Sequence, residues 1–170
     1  KTINANTSTG NVFLGNFVTG ASNQGIQLTN GPDNVTIAYN RVTNNDNGIF
    51  AGFATAEHRN INISNNVVWG NPKVGIQVNY ATKVTISDNA VYNNGNTANI
   101  ALNADSPSTA PEYVAVTGNI VDATGQAYGI DEGADTGPNL IDGNIAINAG
   151  TANIRYNGSD GTVRGSNLAP

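Results

Sequence analysis

Few residues in this chain can do chemistry. His58 is its one imidazole, Arg59 follows it directly, and Lys73 and Tyr80 come soon after. A histidine or tyrosine can shuttle a proton, and a lysine can neutralise a carboxylate, so His58, Lys73 and Tyr80 form the candidate catalytic set. A second cluster is the adjacent pair Asp131 and Glu132. Paired acids can hold calcium or work as a glycosidase pair. Neighbours on a strand point to opposite faces, however, so these two are expected to be split between surface and interior. The sequence has no Cys and no Met. Disulfides, thiolate metal sites, a cysteine nucleophile and any site needing two imidazoles are therefore excluded. No metal centre and no resident cofactor are expected, calcium being the one ion the acids are suited to hold.

The elements that must position these groups follow from an internal repeat. Asn16, Asn40, Asn66, Asn89, Asn119 and Asn144 each stand three residues after an apolar one: Phe13, Ile37, Ile63, Ile86, Val116 and Ile141. Two residues beyond each anchor comes Val18, Val42, Val68, Val91, Val121 or Ala146. Further on stands a recurring Ile, at 26, 49, 76, 100, 130 and 154, always preceded by Gly or Asn. The anchors are 24, 26, 23, 30 and 25 residues apart, the long interval holding Ala104 to Tyr113 with its two prolines. Triplets such as Val84-Thr85-Ile86 and Ile76-Gln77-Val78 alternate with period two, which means strands.

A unit of about 25 residues cannot bury its own apolar face, so the units must stack. No helix-length crossover separates the strands, which excludes doubly wound folds. The expected fold is all-β: a right-handed parallel β-helix of about six coils, residues 1–170 forming one domain. The anchor asparagines are expected in left-handed turns, with amides stacked coil on coil as an interior ladder.

Composition agrees. Charged residues make up 11% of the chain against 38% hydrophobic, and the polar surface is built from 30 Asn, 20 Gly and many Thr and Ser. Such a chain is poor helix material and rich in turns. A net charge of −5 with only 7 Lys and Arg argues against nucleic acid, which needs a clustered basic face. No apolar run is long enough to span a membrane, so no membrane partner is expected. Four Asn-x-Ser/Thr triplets, at Asn6, Asn34, Asn62 and Asn157, are what composition alone would produce.

Asn34 to Val42, Asn60 to Val68 and Lys83 to Val91 resemble the repeat of the pectin-lyase-like right-handed β-helices. The run from Tyr128-Gly129-Ile130 through Leu140 to Asn144, Asn153 to Tyr156 and Gly161 to Gly165 resembles the last coils of bacterial mannuronan C-5 epimerases. Those enzymes invert carbon five of alginate uronates with a Tyr-Gly-Phe-Asp-Pro-His strand. Here Tyr128-Gly129-Ile130-Asp131-Glu132 lacks the Pro-His and matches the later, noncatalytic Tyr-Gly-Ile strand better. The resemblance thus implies a fragment, the C-terminal part of a longer secreted or cell-surface protein, with the family's catalytic coils outside it. Lys1 beginning in mid-repeat agrees, and an uncapped first coil would leave an open end through which the solenoid can self-associate.

The resemblance also implies that carbohydrate lies along the sheet containing the Gly-Ile strands. With the recurring Ile inward, the next residue faces out. This gives a row of Gln27, Phe50, Gln77, Ala101, Asp131 and Arg155 at about 4.8 Å per coil. Gln27, Phe50, Gln77, Asp131 and Arg155, with Phe53 beside them, are the candidate substrate-binding residues, and Asp131 with Arg155 reads as a cross-coil ion pair. The expected partner is an acidic polysaccharide, alginate-like or pectate-like, met by binding or by epimerase or lyase chemistry. In that chemistry Lys73 would neutralise the uronate carboxylate and His58 or Tyr80 would move the proton at carbon five. The competing reading is a noncatalytic adhesin or surface spacer, whose face residues share no ligand.

Overall fold

Alternating triplets become strands here because every second side chain finds an apolar interior made by the coils above and below. The computed structural model describes residues 1–53, 56–95, 97–103, 109–134, 136–158 and 161–169; residues 104–108 of the long insertion and the side chain of Phe53 lie outside the described residues. Among the described residues every strand pairing is parallel and joins equivalent strands of successive coils, giving sheets of seven, seven and six strands. One coil runs, for example, through Asn47–Phe53, His58–Ser64 and Val67–Trp69. Six such coils and two strands of a seventh make up the right-handed parallel β-helix expected from the repeat.

Three columns of the core are made by the repeat's recurring residues, and Leu28, Ala51, Val78 and Leu102 with Val35, Ile61, Val84 and Val114 add two more. Ile26, Ile49, Ile76, Ile100 and Ile130 are fully buried in the first sheet, Ile37, Ile63, Ile86, Val116 and Ile141 in the second, and Val42, Val68, Val91, Val121 and Ala146 in the third. Ile154 and Phe13, at the ends of their columns, are only partly buried against this core.

The anchors form the ladder. Nδ2 of Asn16, Asn40, Asn66, Asn89 and Asn119 each donates to Oδ1 of the next anchor at 2.9–3.0 Å. Asn144 continues to a seventh member, Asn167. Each Oδ1 also accepts the main-chain N–H of the preceding anchor. The left-handed turn falls one residue earlier than expected. Gly15, Tyr39, Asn65, Asp88, Gly118 and Gly143 have φ between 56° and 67°, whereas the anchors do not adopt positive φ. The anchor's contribution is its amide, and the residue before it makes the bend.

A second ladder lies at the corner between the third and first sheets. Asn45 donates to Asn71, Asn71 to Asn94 and Asn94 to Asn99, at 2.8–3.2 Å. At this corner two successive positions face inward. A Cβ on Gly129 would meet Ala146 and Val121 of the core, and Ile130 beside it is fully buried. The period-two alternation therefore breaks just before the recurring Ile, and Val74, Ala98 and Tyr128, each two places before it, pack together with Ala101 outside the main core.

Candidate functional site

The outer row of the first sheet is in register. Gln27 pairs with Phe50, Phe50 with Gln77, Gln77 with Ala101, Ala101 with Asp131 and Asp131 with Arg155. The row is not uniformly open. Phe50, Ala101 and Asp131 are buried, while Gln27, Gln77 and Arg155 are partly exposed. Phe50 follows Gln27, a coil earlier than Gln77, and Phe53 ends the same strand.

A cavity of about 290 Å³ opens over the C-terminal half of this row. Val74, Ala98 and Ala101 make its apolar part, a small cluster against which Tyr128 packs. Gln77, Thr97, Asn103, Asp131 and Arg155 supply the polar lining. Gln77 has its Nε2 donated to Asn79 Oδ1 at 2.9 Å, which fixes the plane of its amide.

Arg155 grips Asp131 with two donors, Nε to Oδ1 at 2.5 Å and Nη2 to Oδ2 at 2.8 Å. Its guanidinium carbon lies 4.2 Å from the centre of the Tyr128 ring, and Nη1 reaches the Tyr128 hydroxyl at 3.4 Å. The hydrogen bonds to Asp131 push the Arg155 pKa above its ordinary value. The cross-coil ion pair read from the sequence is therefore present. Glu132 faces the interior, as alternation required, where its Oε1 accepts from Asn139 Nδ2 and Thr162 Oγ1. The two adjacent acids do not converge, and no group of three or more His, Cys, Asp or Glu suited to a metal occurs among the described residues.

The other candidates sit apart from the cavity's polar lining. Lys73, one residue before Val74, forms an ion pair with Asp46 at 2.7 Å, and its N–H donates to the Asp46 carbonyl. His58 is fully buried at the start of its strand. Its Nδ1 lies 3.0 Å from the Tyr80 carbonyl and its Nε2 3.0 Å from the Leu28 carbonyl, so the ring ties together three coils. Tyr80 meets His58 through its main chain, also accepting the His58 N–H.

Burial pushes the His58 pKa below its ordinary 6.5, against the smaller opposing pull of main-chain hydrogen bonds to Leu28, Tyr80 and Ala56. Below about pH 6.5 the unfolded chain then binds the proton more readily than the folded one. Stability should accordingly be full above that pH and fall as pH drops through it. Urea midpoints at pH 7.5 and 5.5 check this: the wild type should lose stability on acidification, and His58→Gln should lose less. Equal losses in both would remove His58 as the source.

Sequence reasoning missed Asn103 and Thr97 as cavity residues, and Tyr128 as the ring packed against the cavity's apolar part. Tyr128 is two places before Ile130, where alternation extrapolated through the corner would have turned it inward. It missed also an outer stack on the third sheet, where Arg41 lies 5.5 Å over Trp69 and 6.0 Å over Phe17, and Trp69 stacks on Tyr92 at 6.2 Å. The signal was available, since Phe17, Arg41, Trp69 and Tyr92 all flank the recurring Val of their coils.

The comparisons with known proteins agree on the architecture. The chain is similar in structure to the pectate lyase Pel9A, whose crystal structure superposes with a TM-score of 0.60 at 14% identity, over 96% of this chain and 46% of that one. At that identity the likeness is one of fold, and the chain spans less than half the length of that enzyme. No curated protein matches the sequence. A family model described as "Periplasmic copper-binding protein (NosD)" matches residues 1–165, and by that match, nearly the whole of the described solenoid, the chain belongs to the NosD family.

Proposed function

We propose that this chain is a glycan-recognising β-helix working outside the cytoplasm, with the sugar seated on the outer face of the first sheet. The observation that carries this reading is the cavity over Gln77, Ala101, Asp131 and Arg155, which joins an apolar floor to amides and a paired ion at its rim. Sugars present apolar C–H faces and hydroxyl edges, and sites for small molecules combine an apolar surface with a few fixed polar groups in this way. The family's description as periplasmic and the extended polar surface support a secreted or periplasmic setting, and no helix among the described residues is long and apolar enough to cross a membrane.

Two of the three candidate catalytic residues, His58 and Lys73, do not suit turnover at this groove. Elimination or epimerisation at a uronate needs a proton-transfer group within hydrogen-bond reach of the sugar. His58 is buried with each ring nitrogen against a main-chain carbonyl, and Lys73 is engaged by Asp46.

The family's description also raises copper, which the residues present do not fit. Copper takes thiolate, thioether or imidazole ligands. The chain has no Cys, no Met and one His, whose ring is enclosed as described. No step of this reading passes through copper.

The test is binding of the whole chain to soluble oligosaccharides, with Gln77→Ala as the probe of the groove. Losing one neutral hydrogen bond to the sugar should weaken binding roughly 3- to 10-fold while leaving the thermal midpoint within a few degrees. Binding that is indifferent to Gln77, or absent for every glycan, would favour the spacer or adhesin reading instead.

A further inference from the structure

The charge arrangement around the groove says which kind of glycan it takes. We infer that the sugar is electrically neutral, a chain of hydroxyl-bearing residues without carboxylates; this rests on the glycan-binding reading above. Among the described residues, Arg155 lines the groove and Lys73 directly precedes its Val74, and each is already matched by a carboxylate of the chain. Arg155 is held two-pronged by Asp131, whose side chain is 4% exposed beneath it. A uronate that captured this guanidinium would strand the Asp131 carboxylate, buried and unpaired, which is costly. Lys73 is matched by Asp46 at 2.7 Å, so an incoming carboxylate would meet Asp46 as a like charge. His58 cannot add a positive charge at the surface, because it is enclosed. The whole chain carries −5, which further disfavours a polyanion.

What the groove does offer is neutral. Gln77 and Asn103 present amides that donate and accept, and Val74, Ala98 and Ala101 present an apolar floor. The Arg155–Asp131 pair adds donors and acceptors at its edges with no net charge, which matches neighbouring hydroxyls on one ring. The cavity of about 290 Å³ lies at the low end for small-molecule sites, a size for about one sugar unit of a longer chain.

Calorimetric titration of the full chain with five hexasaccharides tests the inference: β-1,4-linked glucose, mannose and xylose against mannuronate and galacturonate. At least one neutral hexasaccharide should bind roughly tenfold or more tighter than either hexauronate, with little dependence on salt. Asp131→Asn should free the guanidinium and raise hexauronate affinity roughly tenfold, now salt-sensitive. Asp46→Asn, at an exposed pair, makes the same test on Lys73 should the buried change disturb folding. A wild type that prefers a hexauronate, with that binding weakened by Gln77→Ala, would overturn neutrality and keep the groove. No binding to any of the five would overturn the groove reading and the neutral assignment together.

Discussion

Replacing Asn66 by alanine should destabilise the protein by about 3–6 kcal/mol, because it cuts the interior ladder at its third member. All four hydrogen-bonding positions of this amide are used. Nδ2 donates to Asn89 Oδ1 at 3.0 Å and to the Ile37 carbonyl at 2.9 Å, while Oδ1 accepts from the side chain and main chain of Asn40. Alanine leaves each of those partners buried with a bond unmade, and each such group costs about 1–3 kcal/mol. The effect should also spread along the axis. Coils of a solenoid are held mainly by their neighbours, so a weak interface at the third coil should divide one cooperative transition into two. Asn62→Ala, on the preceding strand His58–Ser64 and exposed, is the control and should change stability by less than about 0.5 kcal/mol. Denaturant melts followed by circular dichroism, with hydrogen exchange on the flanking coils, measure both. A loss for Asn66→Ala below about 1 kcal/mol would mean that the ladder amides are replaceable by water.

The architecture was legible in the sequence because a period-two pattern nested in a longer repeat permits few packings. What escaped it did so for definite reasons. Asn167 closes the ladder, yet Arg164 occupies the place three residues earlier where every other anchor has an apolar residue. The second ladder carried a signal that is easily overlooked: Asn45, Asn71 and Asn94 each stand three residues after the recurring Val42, Val68 or Val91, and Asn99 directly precedes Ile100, but asparagine near turns is common for its backbone tolerance alone. The outer row and the Asp131–Arg155 pair could be read because they sit in strands, where register carries position from coil to coil. Lys73 lies just outside a strand, so its ion pair with Asp46 was invisible and the lysine looked available. His58 shows the same limit from another side. Its residue type suggested chemistry, whereas its role depends on two carbonyls, Leu28 and Tyr80, far from it in sequence.

Gly48, like Gly25 and Gly75, packs against that second ladder just before a recurring Ile, and Gly48→Ala should therefore cost about 3 kcal/mol or more. A Cβ at this position would run into the Gly75 carbonyl of the next coil and lie 2.6 Å from Val68 Cγ1 and 3.1 Å from Asn71 Nδ2. Gly25 and Gly75 face the same obstacles, with Asn45 Nδ2 at 2.7 Å and Asn94 Nδ2 at 2.6 Å. None of these atoms is the free end of a flexible side chain, because the amides are fixed by the ladder and the carbonyl by the sheet. The fifth coil shows how the rule is lifted. There Asn99 replaces glycine, and its own amide fills the ladder's next place, accepting from Asn94 at 2.8 Å and donating to the Asp122 carbonyl at 2.7 Å. The following corner runs through Ala123 and Thr124 and brings no ladder asparagine against it. If the glycine exists to make room for the amide, Gly48→Asn should be strongly destabilising alone and measurably less so beside Asn71→Ala, with a coupling of about 1 kcal/mol or more in a double-mutant cycle. Strict additivity would assign the glycine to the Gly75 carbonyl and Val68 alone, and separate the two features of the corner.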